Sequence, residues 1–208
     1  MTAPSDRPQL YLITPAAFDP AAFATPLQRV LDAAPVACLR LAMAGSDEDA
    51  IARAADQLRD IAHGRDIPLL IERHVALAER LGLDGVHLPE RTPGIRKLRD
   101  RLGGDAIIGA ACGTSRHDGM TAAEAGADYV AFGPAGDSPL GSGPTAEHDL
   151  FAWWSEMIEV PVVAEGALTR DLIAALAPVA DFIALGDEVW GQDDPVAAFR
   201  ALIAPLGH

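Results

Sequence analysis

One six-residue phrase recurs three times in this chain of 208 residues, and it limits what the chain can fold into. It reads Leu83-Asp84-Gly85-Val86-His87-Leu88, then Ala127-Asp128-Tyr129-Val130-Ala131-Phe132, then Ala180-Asp181-Phe182-Ile183-Ala184-Leu185. Each copy is an apolar residue, an Asp and a short apolar run behind a helix-like segment, the pattern of a buried parallel strand. A second phrase alternates with it: Ile67-Pro68-Leu69-Leu70-Ile71-Glu72 and Val160-Pro161-Val162-Val163-Ala164-Glu165 both enter with a proline and leave with a glutamate. Two alternating strand types imply a closed, repeated architecture.

Extending the pattern along the chain predicts eight strands, at residues 9–14, 36–41, 67–71, 84–88, 106–112, 128–133, 160–164 and 181–185. Helices are predicted at residues 20–33, 46–63, 74–81, 93–102, 119–125, 146–158, 169–177 and 194–204. Ser46, followed by Asp49, and Thr169 read as helix caps. Eight alternating units with nothing left over predict a compact, single-domain α/β fold, a (β/α)8 TIM barrel over residues 1–208 with residues 1–8 as a short polar tail. Half of the residues are apolar, enough for one core. The alternative, an open doubly wound sheet, lacks the Gly-rich turn that a dinucleotide site requires after the first strand.

Cys38 and Cys112 both lie in apolar runs and read as reduced thiols rather than a disulfide framework. No apolar stretch reaches the length of a membrane span, and residues 1–8 have no signal-like core, so a cytoplasmic location is expected. The net charge of −14, with few and dispersed basic residues, argues against nucleic acid and anionic membranes as partners. What remains as a partner is a small-molecule ligand, held at the C-terminal face of the barrel where this fold carries its active sites.

That face should carry Thr14, Arg40, Glu72 with Arg73 and His74, and residues 87–90, 112–117, 133–143, 165–167 and 186–188. Arg40 and Glu72, on neighbouring strands, read either as an ion pair with each other or as ligand groups. His87 alternates with Val86 and Leu88, and reads either as a buried, hydrogen-bonded histidine or as a ligand contact. Glu72 and Glu165 end the third and seventh strands on opposite sides of the mouth, as an acid–base pair or as two hydrated rim carboxylates. Ser115 and Arg116 could hold an anion at a helix start, or Ser115 or Asp118 merely caps that helix. Residues 133–144 form a glycine-rich loop, either a mobile flap or a plain connection.

Tyr11-Leu12-Ile13-Thr14, Leu39-Arg40, Asp84-Gly85-Val86-His87-Leu88, Gly126-Ala127-Asp128-Tyr129-Val130 with Gly133-Pro134, and Pro161-Val162-Val163-Ala164 stand here in an order that resembles the thiamine-phosphate synthase family and its thiazole-tautomerase relatives. The likeness covers nearly the whole chain. It implies a transferase of thiamin biosynthesis, which moves a pyrimidine-methyl group from its diphosphate ester to a thiazole phosphate with magnesium and releases pyrophosphate. Arg40, His87, Ser115, Arg116, Gly133, Gly166 and Gly186 are the residues expected to bind substrate, and Arg40, Glu72, His87 and Glu165 are the candidates for chemistry. A homodimer is a family-level expectation.

The chain departs from the family where the charges are handled. The family's Gln-Leu-Arg-x-Lys becomes Cys38-Leu39-Arg40-Leu41-Ala42, which keeps only the leucine and arginine. Its metal-binding Asn-Asp-Arg aligns with Glu72, Arg73 and His74, and its second metal aspartate with Thr92, so no metal site is expected unless Glu72 and Glu90 substitute. Thr-x-Thr-Lys in the sixth loop becomes Ser138-Pro139-Leu140-Gly141. Glu165, Asp187 and Glu188 stand where backbone donors hold the thiazole phosphate and would repel it. The family serine of the fifth strand aligns with Cys112 or Ser115, and the tautomerase histidine position holds Pro134. Coupling of the family's own substrates is therefore expected to be weak or absent, with magnesium a cofactor only if that activity survives. The alternatives are a non-catalytic small-ligand-binding or regulatory relative, and a metal-independent transferase or isomerase using Glu72, Glu165 or the Arg116-His117 pair.

Overall fold

The structure, a computed structural model, describes residues 7–45, 47–89, 94–137 and 143–207. Its strands follow the repeated phrases: β1 (Gln9–Ile13), β2 (Cys38–Leu41), β3 (Leu69–Glu72), β4 (Gly85–Leu88), β5 (Ile107–Ala111), β6 (Tyr129–Phe132), β7 (Val162–Glu165) and β8 (Phe182–Leu185). All pair in parallel and in chain order, and β8 returns to β1 with Leu10 opposite Ile183, so the sheet closes into a barrel. Around it run α1 (Pro20–Leu31), α2 (Glu48–His63), α3 (Val75–Leu81), α4 (Ile95–Leu102), α5 (Arg116–Glu124), α6 (His148–Met157), α7 (Arg170–Leu176), α8 (Asp187–Trp190) and α9 (Pro195–Ile203). This is the predicted (β/α)8 architecture. No helix among the described residues is long and apolar enough to cross a membrane.

Strand alternation sorts the side chains into two cores. Leu10, Leu39, Leu69, Val86, Val130 and Ile183 point outward and pack under the helices. Tyr11, Cys38, Leu70, Tyr129, Val163 and Ala184 fill the lumen. Gly109 makes room there, because a Cβ at that position would lie 1.9 Å from the Tyr129 ring. On α2, Ile51, Ala54, Ala55, Leu58, Ile61 and Ala62 recur at helical spacing and bury one face.

The aspartate of the recurring phrase has a structural reason. Asp84 accepts the Leu69 N–H at 2.7 Å and returns its own N–H to the Leu69 carbonyl at 3.1 Å. Asp128 does the same with Ile108, at 2.6 and 2.8 Å, and Asp181 with Val162, at 2.8 and 3.0 Å. Each reciprocal pair ties the start of an even strand to the start of the odd strand before it, where a backbone N–H would otherwise have no ladder partner. His63 bonds Asp84, and Arg99 bonds Asp128.

Some elements depart from expectation. Ser46 lies outside the described residues, and α2 is capped instead by Asp47, which accepts the Ala50 N–H at 3.0 Å. Thr169 caps α7 as expected. Helix α5 starts at Arg116 rather than near residue 119, because Ser115 accepts the Asp118 N–H and pulls the start forward. The short helix α8 was not expected at all, since one helical turn leaves no readable period. Of the predicted tail, residues 1–6 lie outside the described residues, and Arg7 donates to the Gly207 carbonyl.

Candidate active site

Strand ends place six of the expected residues around one cavity of about 490 Å³ at the C-terminal mouth: Arg40, Glu72, Gly133, Glu165, Gly166 and Gly186. Arg40, the inward residue near the end of β2, is 5% exposed. Its Nη2 meets Glu165 Oε2 at 2.9 Å, and its guanidinium lies 5.7 Å from the Tyr11 ring centre. The approach to Glu165 is an ion pair without hydrogen-bond alignment, and Arg40 Nε and Nη1 are buried with no hydrogen-bond partner among the described residues. Burial alone would depress the Arg40 pKa, but Glu165, with Tyr11, Tyr129 and Glu72, reverses that and raises it.

Of the two readings open for Arg40 and Glu72, the ion pair with each other is not formed. Arg40 reaches instead across the lumen to β7, while Glu72, its neighbour on β3, bonds Arg73 at 2.7 Å. Arg73 holds a left-handed backbone at φ 59°, and Ala167, in the loop after β7, does so at φ 53°. Non-glycine residues in this region store strain, and here they sit directly behind two mouth carboxylates.

His87 points into the barrel and is 2% exposed. Its Nδ1 lies 2.8 Å from Tyr129 Oη, which lies 2.7 Å from Tyr11 Oη, so three buried polar groups satisfy one another. Of the two readings open for His87, the buried, hydrogen-bonded one describes these contacts. Burial, then the nearby Arg40 charge, holds its pKa well below the ordinary histidine value, and the imidazole is neutral at neutral pH. Burial likewise raises both phenols and pushes the Cys38 thiol up to about 12. Alternation predicts that Tyr11 and Tyr129 face the lumen, yet the sequence reading attached no role to them.

Ser115 and Arg116 stand apart from this cavity. Ser115 caps α5, and the Arg116 guanidinium lies 4.7 Å from the Trp153 ring and 3.4 Å from the Asp149 carbonyl on α6. Cys112 is buried beside Leu88, Ile95 and Ala122 in a separate cavity of about 240 Å³. Thr14 bridges two strand ends, accepting the Ala42 N–H at 3.0 Å. The centre of the glycine-rich loop, residues 138–142, lies outside the described residues. Its base is pinned, because Ala135 and Gly136 donate to the Gly166 carbonyl at 3.1 and 3.0 Å.

The mouth carboxylates expected to repel a phosphate are present, but two are engaged, Glu165 by Arg40 and Glu188 by backbone. Glu188 accepts the Leu168 N–H through Oε1 and the Gly186 N–H through Oε2, both at 2.9 Å. Asp187 is exposed and lines the cavity. Among the described residues, no group of three or more His, Cys, Asp or Glu side chains could hold a metal ion. Glu90 and Thr92 lie outside the described residues. Glu72 and Glu165, at the ends of β3 and β7, are ion-paired with Arg73 and Arg40, so a magnesium ion bound through either would compete with those cations.

Comparison with known proteins places these features in context. A family profile described as thiamine monophosphate synthase matches residues 10–189. The thiamine-phosphate synthase of Rhodospirillum centenum is 43% identical over 91% of this chain and 93% of its own length. That of Erythrobacter litoralis is 39% identical over 94% and 95%. Among solved structures, a thiamine phosphate pyrophosphorylase from Pyrococcus furiosus superposes with a TM-score of 0.82 at 21% identity, covering 96% of this chain and 95% of its own; at that identity it speaks for the fold.

Proposed function

The chain belongs to the thiamine monophosphate synthase family, and from that premise we propose that its mouth joins a pyrimidine-methyl diphosphate to a thiazole and releases diphosphate. In this transfer the methylene C–O bond breaks, its electron pair leaves with diphosphate, and the thiazole nitrogen forms the new C–N bond. The observation that carries the reading is Arg40, which lines the cavity while its buried Nε and Nη1 lack partners among the described residues. A buried donor left without an acceptor costs about 1–3 kcal/mol, so these nitrogens favour a ligand that brings oxygens. The planar guanidinium fork suits a phosphoryl group, and fixed charge beside a departing anion is most effective where water is excluded. Tyr11, Tyr129 and neutral His87 fill the lumen beside it.

Turnover of the family's phosphate-bearing substrate pair is slow on this reading. Glu165 already neutralises Arg40, Glu72 occupies Arg73, and Asp187 and Glu188 add negative charge to the same cavity. A mouth with this balance draws polyanions weakly.

The test follows diphosphate release and product formation from the two substrates, with wild type and Arg40→Gln. Slow product formation is expected, reduced by roughly 10²-fold in the variant. Glu165→Gln, which frees Arg40 from its partner, should bind inorganic diphosphate more tightly than wild type. Tight ligand binding without any product from folded wild type would overturn catalysis and leave the non-catalytic binding relative, a reading that the neutralised Arg40 favours.

A further inference from the structure

We infer that Glu165 is a catalytic residue for the proposed transfer: its carboxylate faces the methylene carbon and stabilises the positive charge which that carbon takes on as diphosphate departs. The inference rests on the proposed diphosphate-releasing transfer and adds the group that meets its positive charge.

Breaking the C–O bond sends the electron pair to the leaving oxygen and leaves the methylene electron-poor. A pyrimidine ring withdraws electrons and shares that charge weakly, so the surrounding site must stabilise it. The thiazole nitrogen then gives its lone pair to the carbon, and the C–N bond closes with the positive charge on the thiazolium. Negative charge fixed beside the carbon serves such a step as fixed donors serve a developing oxyanion.

Four carboxylates among the described residues line the mouth cavity, Glu72, Glu165, Asp187 and Glu188, and Glu165 is the one placed for this role. Glu72 is bonded to the exposed Arg73, Glu188 is held by two backbone N–H groups, and Asp187 is exposed, where water and salt screen its charge. The Glu165 side chain is only 20% exposed, and its Oε2 lies 2.9 Å from Arg40 Nη2. That contact sets the direction of the substrate. With Nη2 already paired, an incoming diphosphate is left Nε and Nη1, and Glu165 repels it, so the end turned toward Glu165 is the methylene end. A guanidinium at the leaving group and a carboxylate at the carbon then form a fixed dipole that offsets the charge separation of bond breaking.

Glu165 is also firmly seated. Its carbonyl accepts the Ala135 N–H at 2.9 Å, and Gly133 leaves room for its stem, because a Cβ there would lie 2.5 Å from the Glu165 carbonyl oxygen and 3.0 Å from its Cγ. A group held this way needs little reorganisation when charge develops next to it.

The direction of one substitution separates this role from simple neutralisation of Arg40. Glu165→Gln frees Arg40 and should tighten inorganic diphosphate; if neutralisation were the whole role, turnover would rise with it. Stabilisation of the carbon requires the opposite split: KM for the pyrimidine diphosphate falls or holds while the single-turnover rate of C–N bond formation drops by roughly 10²-fold. Glu165→Asp, which keeps the charge, should recover part of that loss. A readout without turnover uses calorimetry in the presence of inorganic diphosphate, comparing a pyrimidinylmethyl-ammonium, whose charge stands in for that of the methylene, with the uncharged pyrimidinylmethanol. Wild type should prefer the ammonium by about tenfold or more, and Glu165→Gln should lose that preference. A glutamine variant that forms product as fast as wild type or faster, or one that keeps the full preference for the ammonium, overturns the inference. Absence of product from folded wild type overturns the transfer instead, and the calorimetric comparison then still decides whether Glu165 faces a cationic pyrimidine.

Discussion

A histidine that is 2% exposed, bonded to a phenol and close to a guanidinium has little freedom to take up a proton. His87 in the folded chain therefore titrates well below about 6.5, the value it regains on unfolding. Below that pH the unfolded chain binds a proton that the folded chain refuses. Stability from this residue is thus complete above about pH 6.5 and declines as pH falls toward the folded pKa, by up to about 1.4 kcal/mol per pH unit. His87→Asn, neutral throughout, should flatten the fall of Tm between about pH 6.5 and 5 relative to wild type. Parallel curves for the two proteins would show that His87 carries no such linkage. At this scale the sequence was partly legible. Strand position put Arg40 and His87 near the ends of β2 and β4; Arg40 lines the mouth cavity, whereas His87 does not line it and lies buried against Tyr129. The partner of Arg40 was not legible, because an ion pair that crosses the lumen from β2 to β7 follows neither sequence spacing nor strand adjacency.

Among the elements, the recurring Asp was legible as a strand mark but not as a clamp, because the group it binds belongs to the preceding odd strand. Asp84, Asp128 and Asp181 each accept a backbone N–H that lies at the rim opposite the mouth, and each returns its own N–H to the same residue. Replacing any of them by alanine leaves a strand N–H unpaired, at a cost of about 1–3 kcal/mol. Asp128→Ala should cost the most, since Arg99 loses its carboxylate as well. Asn at the same positions keeps an oxygen acceptor and should recover most of the loss. Chemical denaturation of the paired variants checks this, and equal losses for Ala and Asn at Asp181 would mean that the N–H to Val162 contributes nothing. The helices show where legibility ends. Long amphipathic helices such as α2 were placed within two residues of their observed limits, Glu48–His63. The four-residue α8 carries no period, yet it positions Glu188.

For the whole molecule, closure of the barrel makes the fold robust to changes at the mouth, so the family's architecture and its chemistry can separate. Apolar alternation builds both cores, whereas the mouth cavity sets Arg40 against Glu72, Glu165, Asp187 and Glu188, in a chain whose formal charge is −14. Such a balance should attract divalent cations in a diffuse way, but diffuse attraction differs from a site. A site needs oxygens free to enter the coordination shell, and Glu72, Glu165 and Glu188 are held by Arg73, Arg40 and two backbone N–H groups. Magnesium binding through any of those three must compete with the contact that holds it. A specific ligand at about 100 times its Kd would stabilise the folded chain by about 2.7 kcal/mol, which for a chain of this size raises Tm by several degrees, roughly 5–10 °C. Millimolar magnesium should instead leave Tm unchanged relative to the same ionic strength of sodium chloride. A rise of that order that disappears in Glu72→Gln would place a metal at the end of β3 and return the family's metal-assisted chemistry to this mouth.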